Sequence, residues 1–167
     1  MKRTIQREGE ASLGRATGVA ACTRRVLVAD DNDFMRHCVQ LLLVRERCEI
    51  VASAENGLQL VSNSQLHEHD LIVTDYHMPS MDGMQAARAI LAQQPDSRII
   101  VLTSDDDCSS ARSALDLGIM AYVLKDCMVP DLPLAIAAVM AGNPFLSPSI
   151  GCLADKPVLA GADLTLR

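Results

Sequence analysis

The sequence predicts an α/β domain: a doubly wound, three-layer (βα)5 sandwich built on a five-stranded parallel sheet. Two observations carry this expectation. From residue 25 onward, short apolar runs alternate with stretches of helical periodicity, the signature of βαβ units. The runs are also rich in β-branched residues and lack polar alternation, as strands covered on both faces require.

Five runs read as strands: RVLVA (25–29), EIVAS (49–53), LIVT (71–74), RIIVLT (98–103) and AYVLK (121–125). Between them, apolar residues recur at helical spacing in four stretches: Met35, Val39, Leu42 and Leu43; Met84, Ala87 and Leu91; Ala111, Ala114 and Leu115; and Leu132, Ala135, Ile136 and Val139. ENGLQLVSN, after the second run, predicts a shorter and weaker helix. Asn32 or Asp33 is placed to cap the first helix, Gly83 opens the third, and Gly118 and Gly142 close the last two. Past Pro144 the periodicity fades among Pro, Gly and Ser. The expected organisation is thus a mobile N-terminal extension over 1–23, one domain over 24–144, and a linker or tail over 145–167.

Composition narrows the function. At 167 residues there is room for one full core but not two, and with 2% aromatic residues and no Trp the core must be aliphatic. A net charge of −6 opposes non-specific attraction to nucleic acid and suits acids gathered around a cation. The cysteines at 22, 38, 48, 108, 127 and 152 form no CxxC pair and no metal-ligand spacing, which predicts free thiols, no disulfide framework and no zinc. VAAC (19–22) superficially resembles a cleavage box, but Arg7, Glu8, Glu10 and Arg15 break the apolar core a signal peptide needs. No later run is long enough to span a membrane, so a cytoplasmic protein is expected.

Ligands of open parallel sheets gather at the carboxyl ends of the strands. There the first strand delivers Asp30 and Asp31, the third Asp75, the fourth Thr103 and Ser104, and the fifth Lys125. Two carboxylates about 4 Å apart repel by roughly 4 kcal/mol at an effective dielectric near 20, so three acids on one rim call for a cation or a raised pKa. Mg²⁺ meets that need, because it takes oxygen ligands and commonly bridges carboxylates to a phosphoryl group.

With the acidic pair in VLVADDN, the DYHMPSMDG block around Asp75, VLTS and YVLKD in this order, residues 25–142 resemble the receiver domain of bacterial response regulators. The resemblance implies a flavodoxin-like fold with strand order 2-1-3-4-5. It implies that Asp75 is the phosphoacceptor, that Asp30, Asp31, Asp75 and the backbone carbonyl of His77 serve Mg²⁺, with Asp30 acting through a bound water, and that Lys125, Thr103 and Ser104 bind the phosphoryl group. It further implies a switch in which Thr103 moves toward the phosphoryl oxygens and Tyr122 turns inward. The partners implied are a sensor histidine kinase and a second copy meeting through the face of the fourth helix, fifth strand and fifth helix. Asp126 stands where many receivers have Pro, which bears on the backbone there and not on the Lys125 ammonium.

Blander roles compete for several of these residues. Asp30 and Asp31 alone could cap a helix, Asp75 before Met-Pro could mark a turn, and Asp105, Asp106 and Asp107 read best as the cap of the fourth helix, favoured by its dipole. Asp105 also stands near enough to Thr103 in sequence to influence water access to a phosphoryl group. The His77 ring is expected to face solvent, and His67 and His69 to lie in a solvated loop at the opposite rim.

IAAVMAGNPFLSPSI resembles the exit of NarL/FixJ-type regulators, whose DNA-binding helix-turn-helix domain opens with LTxRE, whereas this sequence ends at LTLR (164–167). The expected output is transcription through a domain absent from these residues, which hold no basic recognition helix and should not bind DNA themselves. The rival readings are a stand-alone receiver acting by protein contact, a receiver that is never phosphorylated, and a Mg²⁺-dependent phosphohydrolase. The last would want a second acid where His77 stands.

Overall fold

A computed structural model of the chain describes residues 23–150. The expected extension over 1–23 therefore lies outside the described residues except for Thr23, as does the tail beyond 150. Strands β1 (Arg24–Ala29), β2 (Cys48–Ala54), β3 (Leu71–Asp75), β4 (Ile99–Thr103), β5 (Ala121–Leu124) and β6 (Phe145–Leu146) form one parallel sheet in the order β2-β1-β3-β4-β5-β6. Helices α1 (Asp33–Arg45), α2 (Gly57–Leu66), α3 (Gly83–Gln93), α4 (Cys108–Leu117) and α5 (Met128–Met140) connect the strands, with a 3-10 turn over Lys125–Cys127 before α5. The doubly wound fold and the order of its first five strands are those expected. The two-residue β6, inside the segment read as linker, was not anticipated.

The sheet separates two aliphatic cores. Val26, Val28, Val73 and Leu102 point to the side packed by Val39 and Leu43 of α1 and by Leu132, Ala135, Ile136 and Val139 of α5. Leu27, Ile72, Ile99 and Val101 point the other way, onto Leu60 of α2, Ala86, Ala87 and Ile90 of α3, and Ala111 and Ala114 of α4. Because both faces are covered, every residue of β3 and β4 is buried, which explains their apolar runs without alternation.

Local chemistry sets the helix starts. The Asn32 side chain accepts from the N–H groups of Phe34 and Met35 at 3.0 and 3.1 Å, and Asp82 with Gln85 closes a capping box on α3. Asp107 alone of its acidic run caps α4, and Gly118 ends that helix in the left-handed conformation. Cys38, Cys48 and Cys127 are free thiols as expected, but Cys108 is disulfide-bonded, correcting the expectation of a free thiol there. Disulfide formation depends on the approach of two Cα atoms in the fold, which residue spacing does not report. No helix among the described residues is long and apolar enough to cross a membrane.

Register brings the chemistry to one rim. Ala29 pairs with Thr74, Asp75 with Leu102, and Thr103 with Leu124, so the residues that follow these strands emerge side by side. The strand order reverses between β1 and β3, the place where an open α/β sheet leaves a crevice at its carboxyl edge.

Candidate phosphoacceptor and metal site

Asp75 ends β3 only 4% exposed, because the strand that carries it runs through the centre of the sheet. The backbone around it is tightly held. Tyr76 N–H donates to the Leu102 carbonyl at 2.7 Å, Gly83 N–H donates to the Tyr76 carbonyl at 2.9 Å, and the Thr74 hydroxyl donates to the carbonyl of Asp75 itself. Gly57 N–H donates to the Met81 carbonyl at 3.0 Å, so the loop after Asp75 is also tied to the start of α2. A rigid carboxylate follows from these bonds.

Lys125, the first residue past β5, reaches the acid, its ammonium nitrogen 2.8 Å from Asp75 Oδ1 and 3.0 Å from Asp30 Oδ2. Asp30 is 1% exposed, and its other oxygen accepts the Asn32 N–H at 2.9 Å. Burial pushes Asp75 above the usual carboxylate range, while the hydrogen bond and charge of Lys125 pull the other way. Burial disfavours the Lys125 ammonium, but its bonds to Asp75 and Asp30 outweigh this and leave its pKa raised. The ammonium is therefore retained, and it bridges two acids that would otherwise repel.

Asp31 completes the acidic set. One oxygen from each of Asp30, Asp31 and Asp75 lies within 4.8 Å of the others, with Asp31 exposed and the other two buried. Three hard oxygen donors, one of them open to water, suit a divalent cation such as Mg²⁺, which keeps part of its hydration shell. Lys125 supplies one positive charge against three acids, so the donor set fits such an ion on charge as well as on chemistry.

Thr103, fully buried at the end of β4, accepts the Asp105 N–H at 3.1 Å. Among the described residues Tyr122 is the bulkiest fully buried side chain, and its hydroxyl has no hydrogen-bond partner there, an arrangement that costs roughly 1–3 kcal/mol. Burial pushes its phenol up, and the Thr103 hydroxyl nearby opposes this without forming a hydrogen bond to it. The ring meets Tyr76 edge-on at a centroid distance of 6.2 Å. Ser104 is exposed at the same strand end.

The structure gives the His77 ring a partner that residue-by-residue reading left out. His77 Nε2 lies 2.7 Å from Asp105 Oδ2, joining the loop after β3 to the loop after β4 while both side chains stay more than half exposed. Only an approach of two loops 28 residues apart reveals this pair. His67 and His69 lie at the far end of the sheet as expected, where the His69 ring turns to the His67 carbonyl and holds no metal cluster among the described residues. At Lys125 the chain enters the 3-10 turn with Asp126 in place of Pro, and the ammonium still reaches both acids.

Comparison with known proteins agrees with this geometry. Residues 26–137 match the family model described as "Response regulator receiver domain". The transcriptional regulatory protein PdtaR of Mycobacterium tuberculosis is 38% identical over 117 residues, covering 70% of this chain and 57% of that protein. The chemotaxis protein CheY of Bacillus subtilis is 36% identical over 101 residues, 60% of this chain and 84% of CheY. Among solved structures, the isolated REC domain of RcsB from Salmonella enterica serovar Typhimurium, in the presence of the phosphomimetic BeF3⁻, superposes with a TM-score of 0.71 at 30% identity, covering 77% of this chain and 96% of that one. The chain spans less than three-fifths of the transcriptional regulators it matches first, LnrK at 58% and PdtaR at 57% of their lengths. The sheet, the acid rim and these matches together place the chain in the response regulator receiver domain family of two-component signalling.

Proposed function

We propose that this receiver is activated by phosphorylation of Asp75 by a sensor histidine kinase. The observation that carries the reading is a rigid, nearly buried carboxylate at a strand end, facing a retained ammonium at 2.8 Å and two further acids. An Asp75 oxygen attacks the phosphorus of a phosphohistidine, the P–N bond breaks, and the imidazole nitrogen takes up a proton. Lys125 neutralises charge on the phosphoryl oxygens, and the site works by positioning and electrostatics more than by covalent assistance. Asp30, Asp31, Asp75 and the His77 carbonyl would hold Mg²⁺, which adds positive charge next to the transferred group. The exposed Phe34 at the start of α1 offers a kinase an apolar contact close to the rim.

Activation proceeds through Thr103 and Tyr122, with Ser104 at the phosphoryl group; the Tyr122 ring already lies inward in this structure, so the phosphoryl group would act by fixing that position through Thr103 and not by drawing the ring in. The buried, unpaired Tyr122 hydroxyl and the neighbouring Thr103 hydroxyl support this, since an unsatisfied polar group is one whose balance a new neighbour can tip. Moving such a switch from 1:99 to 99:1 takes about 5.5 kcal/mol. Charge-assisted bonds from Lys125 and Thr103 to a phosphoryl group are of that order. The downstream output is transcription through a DNA-binding domain, in line with the regulators that share this receiver. A stand-alone receiver acting by protein contact is the second reading; the match to the chemotaxis protein CheY spans 84% of that protein. The phosphohydrolase reading is disfavoured, because the position where it wants a second acid carries His77, whose ring is turned to Asp105.

Incubation with acetyl phosphate and Mg²⁺, followed by intact mass measurement, should show a single phosphoryl adduct in the wild type and none in Asp75→Ala. If the wild type gains no adduct from acetyl phosphate or from phosphoramidate, the phosphoacceptor reading fails and the chain is a receiver that is never phosphorylated.

A further inference from the structure

The segment after α5 is bound into the fold at the strand that carries Tyr122. Phe145 N–H donates to the Met120 carbonyl at 2.9 Å and Ser147 N–H to the Tyr122 carbonyl at 3.0 Å, which makes β6 the neighbour of β5 at the sheet edge. The Ser147 hydroxyl then spends its single proton on Asp131 Oδ2 of α5, at 2.6 Å, while accepting the Leu124 N–H at 3.0 Å. Ser147 is 0% exposed and Asp131 7%, so this clamp is sealed from water. Ile150, also 0% exposed, closes the segment into the apolar cluster that holds Tyr122, Ile119, Ala111 and Ala114.

An open edge of β5 would present unpaired backbone groups to any other chain. Residues 145–150 occupy that edge at Tyr122 and at Leu124, the residue before Lys125. We propose that this segment is the intramolecular occupant of the β5 edge, clamped by Ser147 and Asp131, and that its docking responds to the state of the site and so carries that state out of the domain. Packed interiors shift between discrete arrangements and do not deform smoothly. A rearrangement of Tyr122 or Lys125 therefore acts directly on Ser147 and Ile150. A second copy pairing through β5 has to displace the segment first. The docking stands on the bonds above, whereas the response to the site rests on the receiver reading.

Hydrogen exchange on the full chain tests both parts, with beryllofluoride and Mg²⁺ as the phosphoryl mimic. Ser147→Ala is expected to speed exchange at Phe145, Ser147 or its replacement, and Leu124 by about tenfold, as loss of a strong buried hydrogen bond implies. Val28 and Val73 in the central strands should be unchanged. Ile150→Ala, which releases the other end, should reproduce the pattern. In the wild type, the mimic should change exchange over 145–150 together with that over 76–78 beside the phosphoacceptor, and Ser147→Ala should abolish the first response while keeping the second. If 76–78 respond and 145–150 do not, the coupling is overturned and the receiver reading stands; if neither responds, both are overturned. If neither variant changes exchange over 145–150, the clamp itself is wrong.

Discussion

Replacing Lys125 with alanine is expected to destabilise the protein by about 3 kcal/mol and to slow acquisition of a phosphoryl group by about 100-fold. The Lys125 side chain is 13% exposed and lies between Asp30 at 1% and Asp75 at 6%. Its removal leaves two buried carboxylates facing one another with no cation between them. Asp75, already held up by burial, would then tend to bind a proton, which lessens the repulsion but removes the nucleophile. Added Mg²⁺ should recover part of the lost stability, because it supplies the missing charge through the same oxygens. Urea unfolding with and without Mg²⁺ reads the first effect, and the time course of adduct formation from acetyl phosphate reads the second. Lys125→Arg separates the two: the charge is kept, so stability should largely return, but a planar fork does not reproduce the geometry of an ammonium and the rate should stay low. An alanine variant with wild-type midpoint and wild-type rate would show that the bridge has neither role.

Gly83→Ala is expected to cost about 3 kcal/mol, near the upper end for overpacking, and to displace the phosphoacceptor. A Cβ at this position would sit 2.0 Å from the Asp75 carbonyl oxygen and 3.2 Å from the Thr74 hydroxyl oxygen. The obstructing atom is backbone at the end of a fully buried strand, so it cannot swing aside as a side-chain tip could. Either α3 lifts, breaking the Gly83 to Tyr76 bond and its capping box, or Asp75 is pushed off its place opposite Lys125. Gly142 gives the contrast. With φ at +82° and nothing within 4 Å of an added Cβ, its substitution should cost only about 1 kcal/mol of backbone strain and leave the site untouched. Denaturant midpoints and acetyl phosphate labelling of the two variants test this. Equal midpoints for Gly83→Ala and the wild type would mean that the helix shifts at no cost and that the close approach is not a constraint.

The roles of Gly83 differ between sequence and structure in an instructive way. Its place before a periodic stretch marked a helix start, and that is where α3 begins. The cap itself is Asp82, and the reason for glycine is the approach of Asp75, a contact invisible to periodicity. Asp105, Asp106 and Asp107 show the same division. Their run marked a helix start, and Asp107 caps α4, while Asp105 instead joins His77 and the Thr103 hydroxyl. The short β6 had no signal of its own, since two residues amid Pro and Ser become a strand only when β5 offers a free edge.

The alternation of apolar runs and helical stretches, and the acids, hydroxyls and lysine at the run ends, were legible from residue order, and with them the layers, the first five strands of the sheet and the rim where chemistry gathers, but not the sixth strand. Each rests on interactions a few residues long or on a period, which a linear chain records. Packing alone decided that Lys125 bridges Asp30 and Asp75 over a separation of 95 residues in the first case, that the His77 ring meets Asp105, that Cys108 is disulfide-bonded, and that Ser147 clamps the exit segment to α5 and β5. Such pairings depend on which loops and strand edges the closed fold brings within reach, and that distance exists only after the two cores have formed.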